Sequence, residues 1–170
     1  MKISLITACY NSAGTIGTAI ESVLSQKGVD VEYIIVDGGS KDGTVDIIKE
    51  YSTRSTCSTR LTFKWISERD HGMYDAINKG IKMATGDVVG ILNADDVLAS
   101  DETLAHIASA FEPPEVGSQK SEVDCVYADI RFVTRLEAAS PKSGETGMSC
   151  GLTRLEAASP IGRSPGLILQ

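Results

Sequence analysis

The chain has 170 residues, 42% hydrophobic and 23% charged, a composition typical of one globular domain whose core needs no disulfide or metal. Its formal net charge of -7 at pH 7 argues against nucleic acid and against an anionic membrane surface as partners. A phosphate-bearing small molecule stays open, because a metal ion or helix N-termini can offset charge locally.

Strands and helices are predicted to alternate along most of the chain. Apolar β-rich runs predict strands, and apolar positions three or four residues apart predict helices. The predicted elements are a strand at 2–7, a helix from a Ser12 cap to Gly28, a strand at 32–37, a short helix through 45–48, a strand at 61–67, a helix at 73–84, a strand at 87–93, a helix near 102–111 and a short strand at 123–130. This order predicts an α/β fold with a mostly parallel sheet flanked by helices, whose strands end along one edge.

Two further expectations concern the helices and loops. The Ser/Thr-rich run 52–60 is predicted to be a surface loop. The helix at 73–84 is predicted to bury Ile77, Ile81 and Ala84 along one face.

The first loop at the carboxyl edge is TACYN, Thr7–Asn11. Tyr10 is expected either to lie flat against a planar group such as a nucleobase or to close the top of the core. Cys9 is expected to be a small buried filler, although it also lies where it could touch a ligand.

The second loop is VDGGSKDGT, residues 36–44. Asp37 ends a buried strand, where its carboxylate can accept from a base N–H or a ribose hydroxyl. Its three glycines permit positive φ and close approach of a ligand, and Asp42 is expected to cap the next helix. The loop matches neither the GxGxxG nor the P-loop pattern.

The third loop is LNADD, Leu92–Asp96. Adjacent carboxylates at a strand end are costly unless a positive group binds beside them, and Mg²⁺ or Mn²⁺ prefers such oxygen ligands. The alternative is that one Asp caps the following helix and the other is solvated. Because the three loops meet at one edge, they favour a shared ligand site.

Together, TACYN, IIVDGGSKDGT and SERDHGMYDAINKGIKMATGDVVGILNADD resemble the N-terminal signature blocks of family 2 glycosyltransferases, with a weaker block at DCVYADIRFV. The variant with DGGS and LNADD is similar to enzymes of bacterial polysaccharide and cell-surface glycan assembly. The resemblance implies a GT-A (Rossmann-like) fold, a nucleoside-diphosphate sugar donor, a glycan or lipid-linked acceptor and Mn²⁺ or Mg²⁺ as cofactor.

The resemblance also implies roles for single residues. Tyr10 and Asp37 would hold the nucleobase and ribose, Asp70 would lie near the donor, and Asn93 would face the ribose. Asp95 would hold the metal, with Asp96 beside it as a second metal residue. The full set expected to bind the nucleotide sugar is Ala8, Tyr10, Asn11, Asp37, Asp70, Asn93, Ala94 and Asp95.

Two positions depart from the family pattern. Asn93 replaces the first Asp of the commoner DxD motif, and Gly38 replaces the second Asp of DDGS, so Asp37 is expected to contact the nucleobase alone. Nearby, Arg69, His71 and Lys79 either contact phosphates or are solvated surface residues.

The segment 134–170 is predicted to be a disordered or non-native tail after an incomplete donor-binding domain at 1–133. It repeats TRLEAASP at 134–141 and 153–160 and is otherwise rich in Gly, Ser and Pro. Transfer needs a general base, which the family supplies from its later, acceptor-binding half. The tail does not resemble that half, so no base is identified, and a binding-only module is the alternative to a transferase.

The four cysteines and the apolar runs predict a cytoplasmic protein. A location at the inner face of the cell membrane is compatible with this prediction. The cysteines form no CxxC pair, so we expect unpaired thiols in a reducing compartment. No apolar run reaches the roughly 20 residues of a membrane span. The N-terminus enters a predicted strand at once, which leaves no room for a signal peptide.

Overall fold

The computed structural model describes residues 1–54, 60–111, 125–126 and 167–168. Its elements are β1 (Lys2–Cys9), α1 (Ile16–Leu24), β2 (Asp30–Asp37), α2 (Thr44–Arg54), β3 (Leu61–Ser67), α3 (Met73–Met83), β4 (Val88–Ile91), α4 (Thr103–Ala110) and β5 (Leu167–Ile168). The strands form one parallel sheet in the order β3-β2-β1-β4-β5. The predicted α/β fold with a parallel sheet is therefore confirmed. Across the described ranges, no helix has the length and apolar character needed to cross a membrane.

The interior strand β2, which lies between β3 and β1, is apolar on both faces because helices cover both sides of the sheet. Tyr33 and Ile35 belong to the larger core, which also contains the large buried residues of α1 and α4 and Ile48 of α2. Ile34 and Val36 point the other way, into a smaller core under α3. Side chains alternate between faces along a strand, so β2 is buried from Val31 to Asp37.

The buried face of α3 differs from the prediction. Ala76 and Gly80 face the sheet, whereas Ile81 is 41% exposed. A Cβ added at Gly80 would lie 2.5 Å from Cγ2 of Ile6 in β1, so the helix approaches the sheet through small residues. The predicted face is therefore wrong for Ile81, whereas Ala84 does pack against the smaller core. Close backbone approach selects small residues at the helix–sheet contact.

Two helix ends also differ from the prediction. Ser12 does not cap α1 through its side chain: its carbonyl oxygen accepts from the N–H groups of Thr15 and Ile16, and its hydroxyl donates to the Tyr10 carbonyl. The helix α2 continues to Arg54, so the first three residues of the predicted 52–60 loop are helical.

Near the C-terminus, the described residues are few. The predicted strand at 123–130 lies outside them except for Cys125 and Val126, which are not in a strand; Val126 is buried in the larger core. Leu167 and Ile168 pair with Val89 and Gly90 of β4. This pair departs from the prediction of a tail without structure, and the rest of the tail lies outside the described residues.

A buried carboxylate joins three strands at the amino end of the sheet. Glu32 of β2 is 0% exposed and accepts from Ser4 Oγ at 2.6 Å, Lys64 Nζ at 2.7 Å and Lys2 Nζ at 3.3 Å. It also accepts from the backbone N–H and the hydroxyl of Thr85. Burial alone raises the pKa of the Glu32 carboxyl, but these hydrogen bonds hold that pKa well below its ordinary value.

A cleft at the carboxyl ends of the strands

The loops after β1, β2 and β4 and the segment after β3 enclose one open cleft of about 1370 Å³. It lies where the strand order reverses, because β1 is flanked by β2 on one side and by β4 on the other. In open parallel sheets this is the usual place for a ligand. All the predicted donor-binding residues except Asp37 line it, namely Ala8, Tyr10, Asn11, Asp70, Asn93, Ala94 and Asp95.

The loops after β1 and β2 are fastened to each other by side chains. The backbone N–H of Asn11 donates to Ser40 Oγ at 2.7 Å, and Oδ1 of Asn11 accepts from the N–H of Lys41 at 2.9 Å. Asp42 accepts from the N–H of Ala13 at 3.0 Å. Asn11 has a φ of 50°, in the left-handed region that Asn tolerates better than most residues. The side-chain oxygen of Asn11 therefore shapes the cleft wall by joining the loops.

Asp42 also receives a hydrogen bond from the N–H of Thr44, the first residue of α2, at 3.1 Å. This agrees with its predicted role at the start of that helix. The same loop contains Gly39 and Gly43 with φ values of 85° and 98°, as the glycine pattern predicts.

Asp37 does not line the cleft. Its carboxylate is 0% exposed and accepts from the N–H groups of Gly39 at 3.1 Å and Ser40 at 3.0 Å. The hydroxyls of Ser40 and Ser67 donate to it as well, the latter at 2.6 Å. Burial favours the neutral acid, but these donors hold the pKa of Asp37 below its ordinary value. The Asp37 carboxylate therefore stabilises the conformation of the loop after β2.

Cys9 lies on the floor of the cleft and is 6% exposed. Burial, followed by the charge of Asp37, raises the pKa of its thiol to about 12. The neutral thiol lies 3.8 Å from Oδ1 of Asp37 and packs in the larger core. Its expected role as a small buried filler fits this environment.

Tyr10 is 60% exposed at the cleft. Its ring therefore does not close the top of the core, which was one of the two sequence-based alternatives. An exposed aromatic ring beside a cleft offers a flat apolar surface to a planar ligand.

The loop after β4 separates its two carboxylates. Asp95 is exposed and lines the cleft, and no described residue donates a hydrogen bond to its side chain. Asp96 lies outside the cleft lining and accepts from the Asn93 amide at 2.8 Å, while its backbone N–H donates to the Asn93 carbonyl at 3.2 Å. Asp96 therefore holds the turn that presents Asp95.

The basic residues after β3 have separate environments. Arg69 lines the cleft, whereas His71 is exposed beside Asp75, and Lys79 forms ion pairs with Glu68 at 2.9 Å and with Asp75 at 3.5 Å. His71 thus fits the solvated alternative, whereas Lys79 is held in ion pairs, and neither side chain lines the cleft.

Lys41 is a cleft residue that the sequence-based site did not include. It follows the Gly-Gly-Ser turn and lines the cleft with Arg69, and neither cation forms an ion pair within the described part of the chain. A basic residue inside a glycine-rich loop after a strand is the sequence signal that predicts such a position.

Residues 4–148 match the sequence model of the family described as Glycosyl transferase family 2. The chain belongs to that family. The match runs past Val133, where the donor-binding domain was predicted to end.

A relative of this family 2 chain is an uncharacterized glycosyltransferase of Nostoc, 32% identical over 145 residues. The alignment covers 85% of this chain and 44% of that protein. The chain thus spans less than half the length of this curated relative.

Two solved structures are similar to the family 2 chain. The Staphylococcus aureus TarS 1-349 complex with UDP-GlcNAc has a TM-score of 0.55 and 28% identity, covering 64% of this chain and 30% of TarS 1-349. The Pyrobaculum calidifontis mannosyltransferase PcManGT, solved with GDP-Man and Mn²⁺, has a TM-score of 0.62 and 23% identity. That alignment covers 76% of this chain and 35% of PcManGT, and it supports the fold alone. The GT-A fold implied by the sequence is thereby confirmed.

Proposed function

We propose that the cleft binds a nucleoside-diphosphate sugar together with Mn²⁺ or Mg²⁺, in support of sugar transfer to a glycan or lipid-linked acceptor. The observation that carries the proposal is the joint placement of Tyr10 and Asp95. They lie in loops that follow the neighbouring strands β1 and β4, and both are exposed and line the cleft. Family membership and the UDP-GlcNAc complex of TarS support a nucleotide sugar as the ligand.

The cleft offers groups that match each part of such a donor. The Tyr10 ring provides a flat surface for the nucleobase. Lys41 and Arg69 provide positive charge for the diphosphate, and neither has a carboxylate partner among the residues described. The overall negative charge of the chain makes these two cations important, because they offset it at the site where an anionic ligand enters.

The chemistry of the donor set at Asp95 fits a hard divalent cation. Its exposed carboxylate supplies one oxygen ligand, while the Asp96 carboxylate is bonded to Asn93. The described ranges hold no group of three or more His, Cys, Asp or Glu side chains suited to a metal. The remaining ligands would thus come from diphosphate oxygens and water, as Mg²⁺ commonly arranges. Such an ion, when bound, stabilises the departing diphosphate.

A second candidate function is donor binding without chemistry. This alternative is favoured by the small number of acidic residues in the cleft. Within the described ranges, the carboxylates that line it are those of Asp70 and Asp95. A family 2 transferase needs a further carboxylate to deprotonate the acceptor hydroxyl.

Calorimetry with UDP, GDP and ADP, each with and without Mn²⁺, tests the proposed function. We expect binding of UDP or GDP that strengthens when Mn²⁺ is added. Absence of heat for every nucleotide at millimolar concentration would overturn the proposal.

A further inference from the structure

When a nucleobase binds in the cleft, its ring N–H loses its hydrogen bond to water. That N–H then needs a hydrogen-bond acceptor from the protein. Asp37 was expected to provide it. In the structure both of its carboxylate oxygens are occupied: Oδ1 by the Ser40 hydroxyl, and Oδ2 by the backbone of Gly39 and Ser40 and by Ser67 Oγ. With 0% exposure, Asp37 has no free lone pair directed at a ligand.

The carboxylate of Asp70 lies beside Gly38, which is in the same loop as Asp37, and it lines the cleft. A Cβ added at Gly38 would lie 2.5 Å from Oδ2 of Asp70 and 3.0 Å from its Cγ. The Asp70 carboxylate therefore fills the space that a side chain at position 38 would take. Both residues line the cleft.

The two oxygens of Asp70 have different partners. Oδ1 accepts from the N–H of Gly72 at 3.0 Å, which fixes the orientation of the carboxylate. Oδ2 receives no hydrogen bond from any described residue. A half-buried carboxylate with one oxygen anchored and the other free is a preorganised acceptor for a ligand N–H.

We infer that Asp70, and not Asp37, is the carboxylate that accepts the Watson–Crick-edge N–H of the nucleobase, in a position left open by Gly38. This inference rests on the proposed function and assigns the nucleobase contact within it. Asp37 acts as a positioning residue, since it binds the backbone N–H groups of Gly39 and Ser40, which follow Gly38 in the same loop.

The test measures binding of UDP and GDP and of their analogues methylated at the N–H in question, N3 of uracil and N1 of guanine. For the wild-type full chain we expect methylation to weaken binding of the preferred nucleotide by about 10-fold to 100-fold, the range of one hydrogen bond to a charged acceptor. In Asp70→Asn the amide oxygen would accept from Gly72, which turns the amide NH₂ toward the nucleobase N–H. We expect the unmodified nucleotide to bind this variant no better than the methylated one.

Gly38→Ala is a second variant that leaves Asp70 in place. Its methyl group would displace the Asp70 carboxylate, so we expect it also to reduce the methylation effect. Gly38 does not have a positive φ, and alanine therefore fits its backbone. Asp46→Asn, on the 84%-exposed Asp46 side chain of α2 outside the cleft, is the matched control and should bind like wild type.

The outcomes separate this inference from the proposed function. If wild type binds neither nucleotide, the proposed function and the inference both fail. If wild type binds but methylation has no effect, or if the effect persists in full in Asp70→Asn or in Gly38→Ala, the inference alone is overturned.

Discussion

At the residue scale, Asp37 and Asp95 both follow a buried parallel strand, yet their carboxylates have opposite surroundings. Asp37 is 0% exposed and accepts from three residues of the polypeptide around it, whereas Asp95 is exposed in the cleft. A carboxylate saturated by the fold contributes to stability, and one left without donors is available to a ligand. Substitutions at the two positions should therefore have separable effects.

Asp95→Asn is expected to remove the metal dependence of nucleotide binding while leaving the folded state intact. The Asp95 side chain is exposed and has no hydrogen bond or ion pair with any described residue, so its stability change should stay within about 0.5 kcal/mol. Calorimetry with and without Mn²⁺, together with a thermal melt, measures both effects, and Asp46→Asn serves as the control. A metal response equal to that of wild type would place the cation elsewhere, and a large loss of stability would indicate a structural role.

Asp37→Asn is expected to destabilise the fold by roughly 2–3 kcal/mol, because an amide nitrogen would replace one oxygen among buried donors. Urea unfolding measures the loss against Asp95→Asn. Unchanged stability combined with lost nucleotide binding would restore Asp37 as the nucleobase ligand.

The sequence alone partly predicts that the Asp37 carboxylate is used by the fold and the Asp95 carboxylate is not. Asp37 is followed at the third position by Ser40, and an Asp that precedes such a turn commonly bonds to the backbone and the hydroxyl of the turn. The donor from β3, Ser67, is 30 residues away along the chain. Its distance in sequence is the reason that local patterns could not show Asp37 to be saturated.

At the element scale, the contact between α3 and β1 depends on Gly80. We expect Gly80→Ala to destabilise the protein by roughly 1 kcal/mol or more, because crowding in a packed core outweighs the helix-propensity gain of about 1 kcal/mol. The crowded neighbour is Ile6, which is 0% exposed. Chemical denaturation measures the change.

Gly17→Ala in α1 is the matched comparison. A Cβ there would lie 3.8 Å from the Tyr51 ring, an ordinary contact, so this variant should be neutral or stabilised by up to about 1 kcal/mol. Equal effects of the two substitutions would contradict the close approach of α3 to the sheet.

Helix faces were the least predictable part of the elements. The alternation of strands and helices follows from local periodicity, and the structure reproduces the predicted order from β1 to α4. The buried face of α3 is set by the short distance between Gly80 and Ile6 of β1. An amphipathic pattern predicts Ile81 as a core residue because it considers hydrophobicity and not how closely two backbones approach. For that reason Ala76 and Gly80 were missed.

The Glu32 cluster makes stability depend on pH. The folded-state pKa of Glu32 lies below the unfolded value of about 4.3, so the unfolded chain takes up a proton first as pH falls. The stabilisation is fully present above that value and is lost as pH falls through the folded pKa. Glu32→Gln should thus be less stable than wild type near neutral pH, with a difference that shrinks under acid conditions. Urea unfolding at about pH 7 and about pH 3 tests this, and a difference that is constant with pH would contradict it.

At the scale of the whole molecule, the sequence was sufficient to place the cleft. Parallel strands bring their carboxyl ends to one edge, so TACYN and LNADD had to meet once the alternation was recognised. Lys41 was missed because an exposed lysine in a loop is usually only solvated. The strand pairing of Leu167 with Val89 was missed because it joins residues distant in sequence, with no periodic pattern around Leu167.

The groups that line the cleft predict slow turnover by this chain. Transfer requires a donor site, a positioned acceptor and a base, and positioning with base catalysis supplies several orders of magnitude in rate. The acidic residues lining the described cleft are Asp70, the proposed acceptor for the nucleobase, and Asp95, the proposed ligand of the cation. We therefore expect donor binding with slow, acceptor-independent release of nucleoside diphosphate.

Release of UDP and GDP from a panel of nucleotide sugars, with and without lipid-linked and glycan acceptors, measures this. Asp95→Asn should reduce even the slow release if the cation assists departure of the diphosphate. Acceptor-dependent release at ordinary enzyme rates would contradict the prediction and would show that a base outside the described cleft completes the site. Release that is equal in wild type and Asp95→Asn would instead assign the slow hydrolysis to the cations Lys41 and Arg69, the other charged groups facing the diphosphate in the proposed arrangement.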